Sequence, residues 1–426
     1  MHNGSRVPER YSIVSYLLHT TKDAWTCVVV GILLIGVHFL VWWGVLPQEG
    51  RTPQESVGLI TFLGVRGPRE VWTLTLILVG FGAWVATKSL WAGALIAWIS
   101  LMSAYQILWV GRPFVFIFYD TFYAVALISF FVFSKRLHAE MMARVLLFIA
   151  LINVFWLPLQ HWEIDPIWHQ IRPEELKHNW RFTGWLDNNT NLVHYLAMTI
   201  PLASVLSWWL VIPLAIPVLL ATKTLPIVAG IIGVIVAKRW WAKRFRPIVL
   251  ALFGLAALYI GILDPPRFSG DGVRLAVFRD SLKVQAQCPN GLVFGCGPGS
   301  FKQVFVRWLI KTDHNLGTAS VRNRQTGKHV QQKRFPTHTE IYHHPSSELL
   351  KAVFELGWPV LFIITGWLMW MCRKIARKKS EKWTNAYMGA SVVFMVTMLG
   401  YQPFAVAPLA VSGLMVLGIL EGRIGK

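Results

Sequence analysis

The sequence predicts an all-α polytopic membrane protein, with about twelve transmembrane helices and one large outer loop. Three observations carry this. Of 426 residues, 54% are hydrophobic and 15% are charged, whereas soluble domains run nearer a quarter charged. Apolar runs of about 17–23 residues, long enough to cross a bilayer, recur from end to end. Lys and Arg also concentrate on one side of the map these runs define. Segments assigned to the inside hold 20 of them and short outer loops hold 8. That bias puts both termini in the cytoplasm.

The first run, 24–46, is too long for a signal-peptide core and lacks a small-residue cleavage site, so it reads as a retained helix. Spans follow at 71–87, 89–108, 113–133 and 145–160. After an outer segment at 161–191 come 192–209, the short pair 210–222 and 225–237, and 247–263. The short pair fits tilted, buried or partly re-entrant helices. These nine spans form a bundle over residues 1–263, and residues 264–348 form the large loop. The spans 349–371, 385–399 and 404–420 complete a three-span segment over 349–426. The inner loops carry KRLHAEMMAR, KRWWAKRFR and RKIARKKSEK. The net charge of +20 therefore follows from topology. Because the basic clusters flank helices and no soluble domain presents them, nucleic acid is a poor partner.

The large loop opens on DPPRFSGDG. VRLAVFRDSLKVQAQ then reads as an amphipathic helix with Leu275, Phe278 and Leu282 on its apolar face. CPNGLVFGCGPGSF is a turn-rich link and FKQVFVRWLIK a second helix. The polar, basic stretch TDHNLGTASVRNRQTGKHVQQKRFPTHTE reads as a segment that orders on binding. Cys288 and Cys296 lie together in the link. In an oxidising compartment they can pair, and two unlinked small residues is an equal reading. GCGPG reads as a tight turn, since no Lys-Ser/Thr follows as in a phosphate loop. No CxxC or His-rich spacing signals a metal, and no cofactor is expected.

Residues 343–357, HHPSSELLKAVFELG, carry the most information. Pro345 suits the first turn of a helix, which puts His344 at its mouth. His344, Glu348, Lys351 and Glu355 recur at spacings of 4, 3 and 4, within a sector of roughly 60°. Continued through VLFIITGWLMWM, the segment reads as a membrane helix with a titratable stripe at the water boundary. Lys223, in the outer turn of the short pair, and Arg274, early in the large loop, fall on the same side. Two cations and a helix N-terminus facing one cavity suit a diphosphate. Taken singly, a Lys at a helix end usually snorkels and a loop Arg is usually solvated. Asp120 and His194 lie within predicted spans, where a buried hydrogen-bonding role is the simpler reading for Asp120.

Four segments, in order, resemble the O-antigen ligase superfamily of ligases, polymerases and O-linked oligosaccharyltransferases. They are RFTGWLDNNTNLVHYLAMTIPL, LLATKTLPIVAGIIGVIVA, GVRLAVFRDSLKVQAQ with GCGPGSF, and HHPSSELLKAVFELGWP. Together they cover roughly residues 180–360. The resemblance implies a class C glycosyltransferase-like fold in the bacterial inner membrane, with the site facing the periplasm. It implies transfer of a glycan from undecaprenyl diphosphate to an acceptor such as lipid A core, without metal. His344 would be the general base, and Lys223 and Arg274 would hold the diphosphate. Arg181, Asn191, Ser346, Glu348, Lys351 and Glu355 would support the site. Two positions depart from the family. Lys223 stands where Arg is usual, and Ser346 where the catalytic His is most often found. An O-antigen polymerase shares this chemistry. A transporter or flippase for lipid-linked glycans would also use outer cations, though such proteins show internal repeats and none is visible here.

Overall fold

The computed structural model describes residues 25–35, 89–108, 114–162, 184–186, 189–221, 224–238, 271–297, 318–322, 329–333, 348–377, 381–401, 403–405 and 407–425, with isolated residues between them. The expected spans 71–87 and 247–263 lie outside these, as do Arg181, Lys223, His344 and Ser346.

The framework is helical. In chain order the helices are α1 (Trp25–Ile35), α2 (Leu90–Leu108), α3 (Phe114–Ser134), α4 (Ala139–His161), α5 (Asn189–Leu206), α6 (Trp208–Leu220) and α7 (Thr224–Ala237). The former outer-loop region contributes α8 (Asp271–Gln287) and the one-turn α9 (Gly291–Phe294). Then come α10 (Glu348–Leu356), α11 (Pro359–Arg377), α12 (Lys382–Gly400) and α13 (Ala407–Gly425). Among the described residues, three helices are long and apolar enough to cross a membrane: α4, α11 and, from Pro408, α13. Shorter apolar helices include α1, α6 and stretches of α2, α3 and α7.

Capping sets two boundaries. His138 caps α4, its Nδ1 accepting from the Met141 amide at 3.4 Å. Glu140 in the first turn pairs with Arg144 at 2.5 Å, so the helix starts ahead of its apolar run. Ser207, in extended conformation, caps α6 by accepting from the Trp209 amide at 3.3 Å. The chain thus breaks at Ser207, inside the expected span 192–209.

Three expectations need correction. The segment 349–371 is not one helix: α10 ends at Leu356, and α11 begins at Pro359. Gly357 between them takes φ +80°, a left-handed conformation that glycine adopts without a Cβ penalty. The polar stretch of the large loop contains strands β1 (Thr318–Arg322) and β2 (His329–Lys333), paired antiparallel with Val321 opposite Val330. A hairpin therefore joins the expected all-α fold. On α8, Leu282 is only half-buried, while Asp280, Ser281, Val284 and Gln285 are buried. The helix turns a polar face inward.

α5 is the hub. Every residue from Asn191 to Ser204 is buried, and the helix packs against α4, α6, α7 and α12. A helix apolar nearly all round needs such a wrapping. Small residues permit the closest approach: a Cβ on Gly233 of α7 would meet Pro201 of α5 at 2.7 Å and the Gly389 carbonyl of α12 at 3.0 Å. At the opposite end of α3 the packing is polar. Lys135 donates to Glu421 of α13 at 2.5 Å and to Ser89 at 2.8 Å. Trp367 of α11 donates to the other Glu421 oxygen at 3.1 Å. The Lys135 and Glu421 side chains are only 14% and 6% exposed. Removing one partner strands the other charge, so Lys135→Ala should cost roughly 3–5 kcal/mol. Lys135→Met combined with Glu421→Gln should recover most of it. Thermal unfolding in detergent measures both.

Candidate functional site

The amphipathic helix α10 meets the Cys288–Cys296 link at its C-terminus. A helix leaves its last four carbonyls without intrahelical donors. In α10 these belong to Val353, Phe354, Glu355 and Leu356, and each has a donor from elsewhere. The Gly357 amide bonds Val353 O at 2.9 Å, and Gln285 Nε2 of α8 bonds the same oxygen at 2.7 Å. The Cys296 amide bonds Phe354 O at 2.8 Å, and the Gly297 amide bonds Glu355 O at 2.9 Å. The indole of Trp98, on α2, bonds Leu356 O at 2.9 Å. In return, the Trp358 amide bonds Leu292 O at 3.0 Å.

This interlock depends on glycine. Gly295 has φ +65° and Gly297 φ +100°, and a Cβ on Gly295 would run into the Glu355 backbone. In the GCGPG turn the Cys296 and Gly297 amides are thus engaged by α10. Cys288 and Cys296 form a disulfide, with Cα atoms 5.7 Å apart, which closes the link into a small ring. Gln285, fully buried, also donates to Gly291 O at 3.0 Å. Gln106 of α2 donates to Gly295 O at 3.2 Å. Phe294 packs on Tyr105 and Trp98 of α2, with ring centres 4.6 and 6.5 Å away.

The stripe residues divide. Glu348 opens α10, Lys351 is half-buried, and Glu355 is buried. The Glu355 carboxylate accepts from the Phe301 amide at 3.4 Å, and Phe301 packs edge-on against Phe354 at 5.1 Å. Glu355 thus holds the chain that follows the GCGPG turn. Arg274 lies in the first turn of α8. Further along α8, the fully buried Asp280 faces Arg279 Nε at 3.0 Å and Lys283 Nζ at 3.2 Å. The hydrogen bond and charge of Asp280 raise the Arg279 pKa above its ordinary value.

Asn191 belongs to a second cluster. Carboxamides of α4 hold the turn at Gly184: Gln160 donates to Gly184 O at 3.1 Å and accepts from its amide at 3.0 Å. Asn153 accepts from the Trp185 amide at 2.7 Å. Asn191 donates to Leu186 O at 3.3 Å and accepts from the Tyr401 hydroxyl. Tyr401 stacks on His194, centres 4.6 Å apart. Thr397 gives its hydroxyl proton to Val393 O at 2.9 Å, so His194 Nδ1, 3.1 Å from that hydroxyl oxygen, is the donor of the pair. His194 and Asn191 thereby fasten α5 to the end of α12.

No protein-family model matches this sequence, and no curated protein matches it. Among the described residues, no group of three or more His, Cys, Asp or Glu side chains is arranged to hold a metal.

Several residues of this assembly escape sequence reading. Gln106 and Trp98 are polar or amphipathic side chains on helices, and only the carbonyls they meet distinguish them. Asp280, Ser281 and Gln285 do leave a signal, because at about 100° per residue they share one face with Val284. The bond from Trp98 is the most exposed to test. Trp98→Phe keeps a ring against Phe294 and removes the donor to Leu356 O. It should destabilise the protein by about 0.5–1.5 kcal/mol, the net worth of a part-buried hydrogen bond, seen in thermal unfolding against wild type.

Proposed function

We propose that this chain is a multi-pass glycan transferase of the bacterial inner membrane. It moves a glycan from undecaprenyl diphosphate to an acceptor hydroxyl, such as a sugar of lipid A core. One observation carries the reading. The disulfide-closed end of α8 is bonded to the C-terminus of α10. The helix bearing Arg274 and the helix that follows His344 are therefore held in one register. A donor-binding cation and a base must keep a fixed separation to act on one substrate, and this interlock supplies the means.

Other features fit. A disulfide favours an oxidising compartment, which agrees with a periplasmic loop. The three helices long enough to cross a bilayer agree with a membrane protein. The proposed topology extends this to about twelve spans with both termini cytoplasmic, the arrangement the charge bias favours.

In the proposed reaction, His344 takes the proton of the acceptor hydroxyl as its oxygen attacks the anomeric carbon. The bond from that carbon to the diphosphate oxygen breaks, and the electron pair leaves with the undecaprenyl diphosphate. Lys223 and Arg274 stabilise the charge that develops there. Lys223 supplies charge without the bidentate fork of Arg.

Transfer is assayed with purified protein in vesicles, a lipid-linked glycan and a core acceptor. His344→Ala should lower the rate on the order of 10²–10⁴-fold, the usual share of a positioned base. Lys223→Ala should lose donor use strongly, and Lys223→Arg should retain it. If His344→Ala leaves the rate unchanged while Ser346→His raises it, His344 is not the base. Absence of transfer from any undecaprenyl diphosphate glycan overturns the reading as a whole.

A further inference from the structure

α9 presents its side chains in two directions. Phe294 points inward onto Tyr105 and Trp98. Leu292 and Val293, which precede it, are 54% and 50% exposed. Two exposed aliphatic side chains at the tip of a disulfide-closed ring are costly in water. The ring's own polar backbone is turned the other way, engaged with α10.

The height of this tip is fixed. Leu292 O accepts from the Trp358 amide at 3.0 Å, and Pro359, the next residue, opens α11. α11 is a candidate span, and the least packed of the three against the rest of the protein. Its outward residues include Phe362, 77% exposed, and Met369. Trp358 itself is 40% exposed, at the position where interfacial aromatics gather. An apolar surface thus runs from the face of α11 through Trp358, at its first turn, to Leu292 and Val293.

We propose that the α9 tip is a membrane anchor: Leu292 and Val293 insert among the lipids of the outer leaflet beside Trp358. The occupant is lipid, because the patch continues a span's unpacked face and is bonded to that span's first turn. The ring lies in the interface plane as a monotopic element does, its apolar residues about 5–10 Å into the headgroup and acyl boundary. The disulfide, Gln285 and the carbonyls of α10 then hold the amphipathic helix at the membrane surface. This inference needs the chain to be a membrane protein and is independent of the transfer chemistry.

The test uses full-length protein in phosphatidylcholine and phosphatidylglycerol vesicles. A small fluorescent amino acid replaces Leu292 or, as a control, the exposed Lys283 on α8. The quenchers are a phospholipid brominated near the glycerol end of its acyl chains, and aqueous iodide. The probe at Leu292 should be quenched several-fold more by the brominated lipid than the probe at Lys283, and less by iodide. Iodide quenching at Leu292 equal to that at Lys283 would overturn the proposal. So would protection of Leu292 from both quenchers, which would mean that protein covers the tip.

Discussion

The end of a nine-residue helix is the point on which the rest of this assembly depends. α10 has four terminal carbonyls to satisfy, and it meets them with donors from Gly357, the Cys288–Cys296 ring, α8 and α2. Each bond is modest on its own, about 0.5–1.5 kcal/mol net. Their arrangement matters more than their sum, because leaving any of these buried acceptors unmet is the larger cost. Three segments distant in sequence, α2, α8 with its ring, and α10, must therefore arrive together. The register of α8 against α10, the break at Gly357 and the closure of the ring follow from that single requirement.

The helical framework supports this from beneath. α5 is enclosed on every side, and the glycine contact between α7 and α12 lets those two helices close around it. Polar pins secure both ends of the bundle. His194, Asn191 and Tyr401 tie α5 to the end of α12. Lys135 and Glu421 tie α3 to α13. Helix faces that are uniformly apolar slide easily over one another, whereas a buried carboxamide or ion pair has one good partner. A site that must hold two helices at constant separation benefits from a frame fastened in this way.

The sequence makes the apolar elements legible. The runs 89–108 and 113–133 correspond to α2 and α3 within a residue, bracketed by Lys88, the Gly111-Arg112 pair and Lys135. It misplaces boundaries set by hydrogen bonds. α4 begins at Ala139 rather than 145, since the His138 cap and the Glu140–Arg144 pair extend it through charged residues. α6 begins after Ser207 because a serine cap carries no hydropathy signal. The break at Gly357 was invisible for a related reason: the residues on both sides are apolar, and only the left-handed glycine and its partners across space define it. Of the stripe, Glu348, Lys351 and Glu355 share one helix, α10, and Glu355 is buried within the ring assembly, while His344 lies outside the described residues. The Cys288–Cys296 spacing left pairing open, because the turn between them decides it. On α8, Leu282 is less buried than Gln285, since the helix there packs against the Gly291 and Val353 carbonyls, which the carboxamide can bond.

The account rests on the oxidised ring donating its amides to α10, and hydrogen exchange reads this directly. Peptides covering residues 292–301 are followed by mass spectrometry in the full-length protein, before and after reduction with a phosphine. The Cys296 and Gly297 amides should be protected in the oxidised protein. Reduction releases the constraint on a ring of eight-residue separation, worth about 2–3 kcal/mol in chain entropy, so their exchange should accelerate on the order of 10–100-fold. Exchange of both amides at the rate of an unstructured peptide in the oxidised protein would contradict the account.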